Sequence, residues 1–195
     1  MKQMKMTLAG VLAMLCVVCA TALAGCAGRQ STREAAQAAL AGEDAALAVL
    51  CTRQDAGAAL LELYAESQKA ERPDTALQER IAGLLTRTDI SATVTSAEIA
   101  AVALQDAGCA NALLASGFEE MYSLVYDSVP LLRTLAERAD AGRALCSWYT
   151  ENGASTETAA SLGARVYVQA ALERPEYTAQ LTTEERASVP SLLDR

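Results

Sequence analysis

From Ser31 onward the apolar positions recur three and four residues apart, the period of a helix that buries one face. Ser31-Thr32-Arg33-Glu34 reads as a capping box, serine and glutamate each satisfying the other's orphan backbone donor. An alanine-rich helix follows to about Ala41. Gly42 weakens it, and Asp44 can cap a segment with Leu47, Leu50 and Cys51 on one face, so 32–53 reads as one helix or two. Asp55 opens the next helix, with Leu60, Leu61 and Tyr64 at helical spacing, and Pro73 limits it. Asp74 caps another, whose Leu77, Ile81, Leu84 and Leu85 form the clearest amphipathic stripe. Residues 87–95 show no helical period and read as the longest loop, with room for a short extended piece.

Thr95-Ser96-Ala97-Glu98 is a second capping box, opening a helix through about Leu104. Asp106 starts the next, which Gly117 ends, and Phe118, Met121, Tyr122 and Val125 form a further stripe. Ser128 and Pro130 mark a fresh start through Leu132, Leu135 and Ala136. Asp140 caps a helix through Leu145 and Trp148, closed by Asn152-Gly153. A long helix over 155–173 turns Leu162, Val166 and Ala170 inward and leaves Arg165, Glu157 and Gln169 on a solvated stripe. Thr182-Thr183-Glu184-Glu185 offers a last capping box before Pro190. The pattern predicts an all-α fold over 32–195, a single domain of short antiparallel helices. With one Phe, one Trp and six Tyr, its core is mostly Leu and Ala, which lets helix axes approach closely.

Asp-Ala-Gly occurs three times, at Asp55, Asp106 and Asp140, each with an alanine four residues after the aspartate. In physical terms each is a tight helix–turn–helix, aspartate capping the second helix and glycine letting its first turn approach a neighbour. Such turns resemble those of HEAT-type and other α-hairpin repeats. The spacings of 51 and 34 residues are not one period, which weighs toward convergence on a good helix start. An irregular bundle and a short α-hairpin stack both stay open.

The chain's beginning carries a different signal. Lys2 and Lys5, an apolar run from Leu8 to Ala22, then Leu23-Ala24-Gly25-Cys26 follow the order of a secretory signal. The run is shorter than the roughly 20 residues of a spanning helix. Leu23-Ala24-Gly25-Cys26 resembles the lipobox of bacterial lipoproteins. The resemblance implies cleavage between Gly25 and Cys26, diacylglycerol on the Cys26 thiol and acylation of the new N-terminus. It divides the chain into a signal peptide (1–25), a lipidated cysteine with a short tether (26–31) and the helical domain (32–195). Ala27, which is not the aspartate linked to inner-membrane retention, favours an outer membrane facing the periplasm where a source has two membranes. The tether holds the domain about 15–20 Å from the lipid.

Loss of Lys2 and Lys5 with residues 1–25 leaves 14 basic against 24 acidic side chains, a net charge of −10. That excess disfavours nucleic acid, which needs a basic stripe against phosphate. It also disfavours lying flat on anionic lipid. Solubility accounts for it, and a basic partner is the sharper alternative. Cys51, Cys109 and Cys146 remain in an oxidising compartment, where one disulfide of unspecified pairing and three buried thiols are equally compatible with the spacing.

No histidine is present anywhere, so neither a Ser-His-Asp triad nor an HExxH zinc site can form. No cofactor motif and no metal-binding pattern occurs. The carboxylate pairs Glu119-Glu120 and Glu184-Glu185 fall in predicted first turns, where the helix dipole favours them. Trp148 and Tyr149 are candidate anchors for a partner, with a place in the core as the plainer use. These features predict a membrane-anchored, non-enzymatic scaffold or adaptor for another envelope protein. The competing expectation is an envelope enzyme or small-ligand receptor with a carboxylate, tyrosine and arginine pocket between helices.

Overall fold

A computed structural model describes residues 31–106, 128–153 and 159–191. The described residues form eleven helices and no strand, so the all-α expectation holds. In chain order these are α1 (Thr32–Leu40), α2 (Asp44–Leu50), α3 (Ala56–Lys69), α4 (Thr75–Leu85), α5 (Thr88–Ser91) and α6 (Ser96–Ala103). Then come α7 (Pro130–Ala136), α8 (Ala141–Asn152), α9 (Ala159–Leu172), α10 (Pro175–Thr178) and α11 (Thr183–Ser188). The lipobox with Gly25 and Cys26, the helix expected after Asp106 up to Gly117, the Phe118–Val125 stripe and Glu119-Glu120 lie outside the described residues. No helix among the described residues is long and apolar enough to cross a membrane.

The three capping boxes form as the residue types require: Ser31, Thr95 and Thr182 each accept from the backbone of Glu34, Glu98 and Glu185, whose carboxylates accept in return. Asp74 caps α4 through the Leu77 N–H. Residues 32–53 are two helices. Gly42, at φ 95°, takes the left-handed conformation that stops α1, and the Gly42 and Glu43 N–H groups return to the carbonyls of Ala39 and Ala38.

Several expectations need correction. Residues 87–95 are not an extended loop: Asp89 pairs with Arg87 and accepts from the Ile90 N–H, which starts the short helix α5 and buries Ile90. Asp44 does not cap α2, whose cap position is held by Glu43. Leu162 is exposed, because α9 turns Ala164, Val168, Ala171 and Leu172 to the core. Gln169, expected in solvent, is buried.

The helices follow one plan twice. The run Arg53-Gln54-Asp55-Ala56-Gly57 returns as Arg138-Ala139-Asp140-Ala141-Gly142, 85 residues on. From there α3 packs on α4, α5 and α6, and α8 packs on α9, α10 and α11 in the same roles. Equivalent positions are filled alike: Leu50 and Leu135, Leu60 and Leu145, Tyr64 and Tyr149, Ile81 and Val168, Ile90 and Tyr177 are all buried. Arg87 pairs with Asp89 just as Arg174 pairs with Glu176. The capping-box helices match as well, Ser31 through Leu40 aligning with Thr95 through Leu104, so α6 lies on α7 and α8 as α1 lies on α2 and α3. One unit spans 31–94 and the next 95–181, with α6 shared between them. This is a short stack of repeated helical units.

α11 begins the plan a third time, at Thr182, but carries polar residues. Arg186 stands where α6 has the buried Ile99, and Pro190 where it has Ala103. No residue of α11 is buried. Its exposed, polar character sets α11 apart from α6, which buries Ser96, Ile99, Ala100 and Ala103.

Candidate functional site

One aspartate and one glycine set the position of α3, Asp55 and Gly57, and the equivalent pair, Asp140 and Gly142, sets that of α8. The Gly57 N–H donates to Thr93 Oγ1 at 2.9 Å, and the Gly142 N–H donates to Gln180 Oε1 at 2.6 Å. A Cβ on Gly142 would stand 2.5 Å from the Tyr177 carbonyl oxygen, and one on Gly57 would stand 2.7 Å from Val94 Cβ. Glycine therefore allows the expected close approach. The aspartates do something else. Asp55 and Asp140 hold the cap position but make no cap bond. Each accepts instead from the first residue of the capping-box helix: Thr32 donates to Asp55 at 2.8 Å, and Ser96 donates to Asp140. Asp55 and Asp140 have ψ of 15° and 8°, unlike Ser31, Asp74, Thr95 and Thr182, which are extended and do cap their helices.

Arg138 completes the second joint. Its Nε donates to Ser96, and its Nη1 donates to the Ser91 carbonyl at 3.0 Å and hydroxyl at 3.1 Å. Burial pushes the Asp140 carboxyl up, but the Ser96 hydroxyl and Arg138 charge outweigh it and hold the group below its ordinary range. This cluster ties α5, α6 and α8 together, and none of its residues lines the three clefts described below. It is structural chemistry.

Two open clefts flank α8. The first, about 420 Å³, lies between α6 and α8 and is lined by Ala97, Ala101, Leu104, Gln105, Ser147, Trp148, Glu151 and Asn152. Trp148 is half-buried along it, while Glu151 is exposed and accepts from Ser147 at 3.1 Å. The second, about 520 Å³, lies between α8 and α11, where the buried Cys146 donates to the Glu185 carbonyl at 3.4 Å. A third cleft of about 430 Å³ runs over Gln169, whose amide nitrogen donates to the Pro190 carbonyl at 2.9 Å.

The unit 1 counterpart of the α6/α8 cleft is built differently. There Arg33 on α1 reaches across to α3, donating to both oxygens of Glu66 and lying 3.9 Å from Glu62. The hydrogen bond and charge of Glu66 raise the Arg33 pKa, and Arg33 lowers that of Glu66. In unit 2, Ala97 takes the place of Arg33, Ser147 that of Glu62 and Trp148 that of Leu63, whereas Glu151 repeats Glu66. Among the described residues no basic side chain pairs with Glu151. The groove has the carboxylate of its unit 1 counterpart without the arginine.

Of the residues singled out from sequence, Trp148 borders this groove and Tyr149 does not. Tyr149 is buried, with the Arg165 guanidinium 5.9 Å from its ring centre and donating to its hydroxyl at 3.2 Å. Cys51 and Cys146 are free thiols, and Cys109 lies outside the described residues. Among the described residues no group of three metal-ligating side chains converges. Glu151 escaped notice in the sequence; setting the two capping-box helices side by side, Arg33 against Ala97, would have exposed it. No protein-family model, curated protein or solved structure matches this chain.

Proposed function

We propose that the chain is a lipid-anchored envelope protein whose helical stack acts as a non-enzymatic scaffold or adaptor for another envelope protein. The anchor rests on the sequence order of charge, apolar run and Leu23-Ala24-Gly25-Cys26, with lipid on Cys26. The adaptor role rests on one structural observation: the groove between α6 and α8 leaves an aromatic side chain and a carboxylate accessible together, without a basic partner among the described residues. Stacked helical units present such surfaces between neighbouring helices. The polar cluster around Arg138, by contrast, is engaged in joining helices. A small-ligand receptor has less behind it, since the three clefts described are open at the surface and the buried core is mainly leucine and alanine with a few tyrosines and β-branched residues.

Mass spectrometry of the native N-terminal peptide tests the anchor, with a diacylglyceryl-modified Cys26 expected and an unmodified thiol fatal to it. Crosslinking in cells at native expression tests the adaptor role. A stoichiometric protein partner is expected, and repeated recovery of the monomer alone would overturn that half of the proposal.

A further inference from the structure

We infer that the α6/α8 groove receives an arginine side chain from the partner protein, seated along Trp148 with its guanidinium on Glu151. The inference rests on the adaptor reading and names the chemistry of its contact. Four observations lead to it. The same chain fills the equivalent groove of unit 1 with its own Arg33, which shows what that groove geometry accepts from α1: a guanidinium bound to both oxygens of Glu66. In unit 2 the arginine is absent and Ala97 opens the space, yet the carboxylate is kept as Glu151. The residue that changes from Leu63 to Trp148 supplies the aromatic face on which guanidinium groups stack best. The residues that follow Asp106, 107–127, contain no lysine or arginine, so that stretch cannot supply the cation.

Charge favours the same occupant, because a chain with a net charge of −8, or −10 once residues 1–25 are removed, attracts a basic segment and repels a second copy of itself. Apolar walls at Ala101 and Leu104 suit the arginine methylenes.

Trp148 is the only tryptophan, so its fluorescence reports the groove directly. The probe is a blocked peptide with one arginine between leucines, and its control carries citrulline, which keeps the shape and loses the charge. A saturable fluorescence change is expected for the arginine peptide, at least about tenfold tighter than for citrulline, a difference of roughly 1.4 kcal/mol. Glu151→Gln should erase that difference. Ala97→Arg, at an exposed position that already carries arginine in unit 1, should fill the groove and abolish binding. Equal binding of the two peptides, or undiminished selectivity in Glu151→Gln, overturns the inference. So does dimerisation of the chain that Ala97→Arg suppresses, which would assign the groove to a second copy. A partner captured in cells through another face, with none crosslinking to a photoreactive group at position 148, removes the groove and leaves the adaptor reading standing. Arginine selectivity with no partner in cells removes the adaptor reading alone.

Discussion

The carboxylate of Asp140 accepts a hydrogen bond from Ser96, the first residue of α6, in the relationship that Asp55 has with Thr32 at the start of α1. The two pairs are the most direct sign that the chain repeats one helical unit. They are not equivalent in weight. The Thr32–Asp55 pair is exposed, whereas Ser96 is fully buried and its oxygen also accepts from Arg138. Asp140→Ala therefore leaves a buried hydroxyl and a half-buried guanidinium short of an acceptor, at a cost of about 1–3 kcal/mol. Asp55→Ala should change stability far less. Urea titrations of the two variants check this, and equal losses would mean that the joint at Arg138 carries no special share.

Glycine is required at Gly142 and Gly57 because another element is already in contact there. The obstacle to a Cβ at Gly142 is a backbone carbonyl, which cannot rotate aside, while at Gly57 it is mainly the side chains of Val94 and Thr93. Gly142→Ala should cost about 1–3 kcal/mol, with Gly57→Ala toward the lower end of that range. Gly83, in the last turn of α4, meets nothing within 4 Å of an added Cβ. Gly83→Ala should stabilise by about 0.5–1 kcal/mol, since the unfolded chain loses freedom and the helix loses nothing. Thermal unfolding of the three variants gives the ranking.

Much of this architecture was legible in the residues. Three capping boxes and the Asp74 cap formed where their spacing placed them, because a hydroxyl three residues before a glutamate has a local partner whatever the rest of the fold does. The repeat was harder to see. A third Asp-Ala-Gly at Asp106 broke the true interval of 85 residues between Asp55 and Asp140, and 107–127 lengthens unit 2 where unit 1 has only residues 41–43 between helices. The aspartates' real partners, Thr32 and Ser96, are distant in sequence and invisible to local capping rules. Trp148 and Tyr149 could not both face a partner, since adjacent residues point about 100° apart around a helix. The carboxylate beside Trp148 became evident only by comparison with Arg33 and Glu66.

Asp89 and Cys51 make a paired prediction in pH. The hydrogen bond from Arg87, with one from the Cys51 thiol, holds the Asp89 carboxyl down at about 2. A carboxylate with a depressed folded-state pKa adds stability that is fully present above its unfolded value, near 3.9, and is lost as pH falls through the folded value. Stability should therefore fall between about pH 4 and 2, and Asp89→Asn should flatten that limb. The Cys51 thiol is pushed up, first by burial and then by the Asp89 carboxylate. The same variant should thus raise the rate of Cys51 alkylation at mildly alkaline pH and leave Cys146 unchanged. An unaltered Cys51 rate would show that burial alone protects it.

Cys146 in turn reports on the polar helix α11. α11 buries no residue of its own, and its capping box at Thr182 and Glu185 does much to hold it. The Thr182 backbone N–H, and then its hydroxyl, keep the Glu185 carboxyl below its ordinary range. Removing the cap with Thr182→Ala should weaken the helix by about 1 kcal/mol. Because α11 buries none of its residues, that loss should appear as local opening rather than global unfolding. The Cys146 thiol, which contacts the Glu185 carbonyl and Ser188, becomes reachable in the open form. Its alkylation under native conditions should rise about fivefold, the equilibrium equivalent of 1 kcal/mol, while the midpoint of unfolding barely moves. Thr95→Ala removes the same cap from α6, which is packed between both units, and should instead lower the unfolding midpoint without selectively exposing Cys146. If the two variants give the same pattern, α11 unfolds with the stack and does not open separately.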